Sequence, residues 1–307
     1  MRIAMTLALQ LTLGACQNPV ETGPSPDPWT CPNGRVEPAG VVQSEVVVET
    51  SGLVGSRRHD DILWVHNDSG GRANLYAMST LGELKGVLSL QGATANDWED
   101  LAIGPGPGDQ PHLYVGDIGD NSKQRAFVTI YRVPEPAEIS GYLLNPAVGE
   151  AVALTFVYPE GPRNAELLWV DPLTGDIYIM SKEETGQSVL FRAEAPHQPT
   201  EDPRVLEPVA ELLFGDSPLN GARLVTGGDI SADGQLLLVR TYTSAFVWHR
   251  QVDQGVAEAV RGSPCRVFAP PPEPQGEAVG FVGGHYTWFS LSEMKGQTLF
   301  RVESLEP

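Results

Sequence analysis

The chain has 307 residues, with 39 acidic against 20 basic side chains and a formal net charge of −19. That balance argues against a nucleic-acid partner, because phosphate backbones are held by basic patches. It suits solubility and cation binding. Gly and Pro are frequent, and the apolar runs are short and rich in Val, Leu, Phe, Tyr and Trp, so the pattern is one of strands and turns rather than long amphipathic helices.

Met1 and Arg2 precede an apolar run from Ile3 to Leu13, which predicts a secretory leader over 1–15. The run is too short for a membrane span, which needs about twenty apolar residues. Its ending, Leu13-Gly14-Ala15-Cys16, resembles a bacterial lipobox and implies lipidation of Cys16; an ordinary leader with a chance cysteine is the alternative. Residues 16–40 are polar and Pro-rich and read as a tether, leaving 41–307 as one domain. The expected location is the cell envelope, lipid-anchored, periplasmic or on the outer-membrane surface. Outside the cytoplasm Cys31 and Cys265 can oxidise, and a disulfide between them would pin the tether to a late part of the fold. Free thiols are the other outcome.

A spare strand, Ser44–Glu49, precedes five copies of a repeated unit. Each begins with small residues, an acidic or Ser position and an apolar stretch: Ser51-Gly52-Leu53, Trp98-Glu99-Asp100-Leu101, Ala165-Glu166-Leu167, Gly228-Asp229-Ile230 and Gly276-Glu277-Ala278. A second strand with a polar tail follows in each, then a third. Fourth strands follow only the first four copies: Lys85–Leu90, Ala151–Tyr158, Val209–Phe214 and Cys265–Ala269. These features predict an all-β fold, a β-propeller of five four-stranded blades whose last blade is completed by the N-terminal strand, which removes the open edge. The irregular spacing also admits six blades with one degenerate. A two-layer β-sandwich would not repeat the acidic phrase.

In a propeller the first strands line the central channel, and the loops before them share a face with the loops after the second strands. The phrase therefore predicts an inner ring of Ser51, Glu99, Glu166, Asp229 and Glu277. Four carboxylates converging on a channel need a counter-charge or must protonate. Oxygen-only donors point to a hard cation. Calcium suits a ring drawn from separate blades, and magnesium, with its tighter octahedron, is the lesser candidate.

The polar tails predict an outer ring of Asn67, Asp68, Asp120, Asn121, Glu183, Tyr242 and Glu293. They also bring His66, Asp117, Lys182 and Arg240 to the same face. Lys182 and Arg240 could clamp a phosphate or carboxylate; salt bridges to neighbouring acids are the plain alternative. The Asp side chains in these tails suit turns that they cap themselves. There is no Gly-x-Ser-x-Gly elbow and no His-Glu-x-x-His.

The string Ser51-Gly52-Leu53, Asn67-Asp68-Ser69-Gly70, Asp97-Trp98-Glu99-Asp100, Gly116-Asp117-Ile118-Gly119-Asp120-Asn121 and Gln275-Gly276-Glu277-Ala278 resembles a bacterial family of secreted propeller lipoproteins. The resemblance spans nearly the whole domain and implies fold and export more than activity. More distantly, the chain is similar to calcium-activated nucleotidases of the apyrase type. Those five-bladed propellers hold a central calcium with Ser and Glu near the blade starts. The similarity implies metal-binding roles for Ser51, Glu99, Glu166 and Glu277, while Asp229 stands where a Ser is expected.

Two readings follow. One is a surface-tethered, calcium-binding propeller that acts as a binding or structural protein. The other is a calcium-dependent phosphoester hydrolase, nucleotidase- or phytase-like, with Arg240 and Lys182 holding the phosphoryl group and His66 or Asp117 as acid or base. The expected partners are the membrane, through the lipid, and a small phosphorylated or anionic ligand, with the chain acting as a monomer.

Overall fold

The computed structural model describes residues 34–108, 110–142, 145–214, 221–268, 273–283 and 287–304. Within them the chain is nearly all strand, arranged as five sheets in a ring; the one helix is the single turn Val256–Ala259. The five inner strands are Thr50–Gly55, Trp98–Pro105, Ala165–Val170, Val225–Ile230 and Gly276–Phe281. Each packs against the next, and the fifth packs against the first. The fold is a five-bladed β-propeller, and the six-blade alternative falls away.

The second strands are Ile62–Asn67, Pro111–Asp117, Ile177–Ser181, Leu236–Thr241 and Thr287–Ser292. Inner strands are buried along nearly their whole length, so small and apolar residues run without strict alternation. Fourth strands such as Val152–Val157 alternate, with one side toward solvent. Two short parallel strands extend the outer edges. Ala147–Glu150 lies against Leu84–Gln91 in blade one, and Arg204–Val205 against Val152–Val157 in blade two.

The closing strand differs from expectation. Blade five is completed by Gly34–Val41, antiparallel to Thr298–Ser304, and not by Ser44–Glu49. The amides of 46–49 are taken by side chains: Ser44 Oγ accepts Val46 and Val47 (both 3.3 Å), and Asn67 Oδ1 accepts Val48 (3.0 Å) and Glu49 (3.2 Å). A segment bonded this way has no ladder to offer. The true strand carries Gly34, Pro38 and Gly40, a weak β signal. Proline is tolerated there because the strand is an edge and its register shifts between Pro38 and Gly40. Seven residues of the stretch expected to be tether (34–40) thus belong to the propeller. The expected leader, Cys16 and Cys31 lie outside the described residues.

Apolar clusters fill the blade junctions. Trp64 and Leu75 meet Leu101 and Val133 between blades one and two, and Phe156 meets Leu168 and Phe191 between two and three. Trp169 and Met180 meet Leu237 and Trp248 between three and four; Leu53 and Met78 meet Phe289 and Leu299 between five and one. Trp64, Trp98, Trp169 and Trp288 are fully buried. Burying such an aromatic removes roughly 200 Å² from water, on the order of 5 kcal/mol before entropy is counted. This packing holds the inner strands rigidly around the channel.

Candidate functional site: the acidic mouth of the channel

The first residue of each inner strand pairs with the end of its second strand: Thr50 with Asn67, Trp98 with Asp117, Ala165 with Ser181, Val225 with Thr241 and Gly276 with Ser292. Immediately after this pair, every inner strand slips register. A β-bulge leaves one side chain unpaired and re-aims it. The bulged residues are Ser51 (with Gly52), Glu99, Glu166, Thr226 and Glu277. One device, repeated in five blades, builds the ring.

Blade four supplies Thr226 to this ring, in place of the predicted Asp229. Asp229 lies three residues deeper, where its Oδ1 accepts the amide of Ile230 and its Oδ2 the amide of Phe281 (2.8 Å each). Its carboxylate is spent on backbone, so it is no ring ligand. The two ring hydroxyls behave alike. Ser51 Oγ donates to the Glu99 carbonyl (2.5 Å), and Thr226 Oγ1 to the Gly276 carbonyl (3.2 Å), each in the following blade.

The three ring glutamates are buried. Burial raises Glu99 well above the usual carboxylate range, and Glu166, Asp68, Asp97 and Glu277 raise it further. Burial pushes Glu166 up to about 7, against the opposing pull of Lys182. Lys182 Nζ donates to Glu166 Oε1 (2.8 Å) and to Tyr242 Oη (3.1 Å), and Tyr242 Oη donates to Glu277 Oε1 (3.0 Å). Glu293 also faces the ring: burial, then its neighbour Glu277, pushes it up to about 8.

On the side of blades one and two, Asp68, Asp97 and Glu99 each bring an oxygen within 4.8 Å of the others. Asp68 Oδ1 is buried with no hydrogen-bond partner, and burial followed by the charge of Asp97 lifts its carboxyl to about 6. Burial likewise raises Asp97. Gly119 lines this spot: a Cβ there would fall 2.2 Å from Glu99 Oε1 and 2.5 Å from Asp97 Oδ2. Asp97 was missing from the predicted site because it sits one residue before the strand, beside a tryptophan that draws the eye to packing.

Other predicted site residues serve the scaffold. Arg240 is buried and wholly engaged, with Nε on the Gly276 carbonyl (2.9 Å), Nη1 on Ser290 and Nη2 on Glu273. It anchors blade four to blade five and presents nothing to a ligand. His66 is fully buried, edge-on to Trp98 at 5.7 Å, and donates from Nδ1 to the Asn67 carbonyl (2.9 Å). Burial lowers it to about 4, which keeps it neutral, but it does not reach the channel surface.

Asp117 pairs with Arg125 (2.7 Å) and accepts the Asp97 amide (3.3 Å) and Asn96 Nδ2 (3.2 Å), so it shapes the loop that presents Asp97. Asn67 staples 46–49 to blade one. Asp120 closes its own loop on the amides of Gln124 (2.9 Å) and Arg125 (2.7 Å). Asn121 Oδ1 accepts from Asn164 (3.1 Å), and Glu183 pairs with Lys123 and Arg163 (3.1 Å each). Cys265 is disulfide-bonded.

No family model and no curated protein matches this chain. What the site can do is therefore argued from its donors. They are carboxylates and hydroxyls, without His or Cys, which is the donor set of a hard divalent cation. The unpartnered Asp68 oxygen and the space left by Gly119 fit such an ion.

Proposed function

We propose that this protein is an exported, lipid-anchored propeller that binds a divalent cation at the mouth of its channel, calcium first and magnesium second, and acts as a binding or structural protein of the cell envelope. The observation that carries the reading is the convergence of Asp68, Asp97 and Glu99. Burial raises all three carboxyls, and the charge of Asp97 raises Asp68 and Glu99 further; a bound cation would favour their ionised forms. The leader and Cys16 motif support export and anchoring.

A cavity of about 930 Å³ beside the ring is where a ligand of such a binder would sit. Its wall includes Tyr242 and Gln275, both hydrogen-bonded to Glu277 Oε1 (3.0 and 3.4 Å). Among the described residues its charged lining is Glu184 and Glu273, and Glu273 is neutralised by Arg240. That lining favours an uncharged or cationic ligand over a phosphate.

One observation favours the hydrolase as second reading. With Thr226 in blade four, the ring reads hydroxyl, Glu, Glu, hydroxyl, Glu, as the resemblance to calcium-activated nucleotidases implies. Against it, the two cations assigned to the phosphoryl group are engaged elsewhere: Arg240 in the scaffold and Lys182 on Glu166.

Thermal unfolding of the full chain in calcium, in magnesium and in chelator, with direct metal analysis, tests the cation. Binding to the native state alone raises the melting temperature by mass action. A melting point that is indifferent to all three, with no metal found, removes the cation site. Turnover of nucleoside diphosphates or aryl phosphates that needs calcium would transfer the conclusion to the hydrolase.

A further inference from the structure

Three ring glutamates from three blades would ordinarily be expected to share one ion on the propeller axis. Here one oxygen of each of two of them is already engaged by a chain of side chains. Glu166 Oε1 accepts from Lys182 Nζ at 2.8 Å and Glu277 Oε1 from Tyr242 Oη at 3.0 Å, while Lys182 and Tyr242 are bonded to each other at 3.1 Å. The ammonium also lies 5.1 Å from the centroid of the Tyr242 ring, a cation–π contact. Asn164 and Gln275 extend the belt at its two ends (3.5 Å to Glu166, 3.4 Å to Glu277). Lys182 follows the second strand of blade three, its amide bonded to the Asn164 carbonyl (3.0 Å), so the ammonium is delivered from a rigid edge. The side chain is only 14% exposed.

The other arc of the mouth is different. Among the described residues, no ion pair joins Asp68, Asp97 or Glu99 to a cationic side chain; the nearby Arg125 is committed to Asp117 (2.7 Å). One half of the mouth thus has a covalently attached cation in direct contact with its ring glutamate, and among the described residues the other half has no such contact.

We propose that Lys182 is a built-in cation that occupies the axial place of the ring, confining the divalent ion to the off-axis site of Asp68, Asp97 and Glu99 and limiting the protein to one such ion. Lys182 then determines the number and position of bound ions, and its removal frees Glu166 and releases Tyr242 from the ammonium, so that Glu166 can form a second site with Glu277 and the ring hydroxyls. A cation held at full strength by a side chain cannot be removed by chelators, so the blade-three to blade-five arc stays ordered when divalent ions are scarce. The inference rests on the proposed cation binding but extends to which oxygens take part.

The test is calcium titration by calorimetry, with metal analysis, on the full chain and on K182M, K182R, Y242F and D97N. The wild-type chain is expected to bind one calcium, and D97N to bind it at least tenfold more weakly. K182M is expected to bind a second calcium, and K182M/D97N to retain one through the freed axial oxygens. K182R, which keeps the charge, should behave as wild type. Y242F removes the shorter of the two bonds to Glu277 Oε1 with the ammonium in place and serves if K182M does not fold; it should weaken the exclusion and admit calcium to the axis at high concentration. One calcium in wild type, with K182M and Y242F unchanged in number and affinity, overturns the role of Lys182 and leaves the cation site standing. No calcium in wild type but one in K182M overturns the cation reading and leaves Lys182 as the occupant of the axis. No calcium in any variant overturns both.

Discussion

Asp100 and Asp229 hold the same relation to the blade that follows each of them. Asp100 Oδ1 accepts the amide of Leu101 (2.8 Å) and Oδ2 that of Leu168 in blade three (2.9 Å). Asp229 repeats this with Ile230 and with Phe281 in blade five (2.8 Å each), two residues deeper in the channel relative to the bulge. Each carboxyl is a clasp between neighbouring inner strands. In Asp229→Asn, one of the two acceptors becomes a donor and a buried amide loses its partner, which costs about 1–3 kcal/mol. Urea unfolding should show that loss, while calcium affinity stays within twofold. A large fall in affinity with unchanged stability would return Asp229 to the ring.

Arg240 makes a second cross-blade anchor, in a place where the residue type alone suggested a ligand clamp. Its side chain and that of Glu273 are 1% and 2% exposed. Removing one partner of a buried pair strands the other charge and costs about 3–5 kcal/mol, whereas replacing both by apolar groups is often near neutral. Arg240→Met and Glu273→Leu should each lower the urea midpoint strongly. The double variant should lie closer to wild type than either single one. Two equal losses that add would show that the pair itself is not the anchor.

These cases show what was legible in the sequence. Blade number and the second, third and fourth strands could be read because the inner phrase and the polar tails recur and because buried strands keep their β-branched and aromatic content. Ser51, Glu99, Glu166 and Glu277 could be read for the same reason. Thr226 could not, because Gly228-Asp229 imitates the acidic phrase three residues late; pairing Thr241 with the strand start, as Asn67, Asp117, Ser181 and Ser292 pair in the other blades, would have found it. The closing strand was hidden by Pro38 and Gly40. The partners of Arg240, His66 and Asp120 are set by packing across blades or within a loop, which residue type does not encode.

Stability should depend on pH in an unusual direction. Burial is the first cause of the raised carboxyls of Asp68 (about 6), Glu166 (about 7), Asp229 (about 7) and Glu293 (about 8). Unfolded, such groups titrate near 4. A group whose folded value is raised contributes stability that is complete below its unfolded value and lost as pH rises through the folded one. In chelator, the melting temperature should therefore fall as pH rises from 5, most steeply between about 5 and 6 where all four groups are ionised only in the unfolded chain, and level off above 8 as each ionises in the folded protein. Calcium should restore it at the alkaline end, where Asp68 is ionised and able to bind. Calorimetry across that range checks both halves; a melting point that climbs with pH in chelator would mean that these groups are ionised and paired in the native protein.

Gly119 offers a way to close the cation site with the fold kept. Its missing Cβ would stand 2.2 Å from Glu99 Oε1 and 2.5 Å from both Asp97 Cγ and Oδ2, and all three atoms belong to the ends of movable side chains. The backbone at Gly119 lies outside the positive-φ region, so alanine brings no torsional penalty of the kind glycine relieves. In Gly119→Ala the two carboxylates must turn away from the point where their oxygens converge with Asp68. Calcium affinity should drop at least tenfold, with the stability of the metal-free protein changed by less than about 1 kcal/mol, as for substitutions that neither open a cavity nor strand a charge. A variant that binds calcium like wild type would show that the ion does not sit among Asp68, Asp97 and Glu99, and would move the search to the axial oxygens beside Lys182.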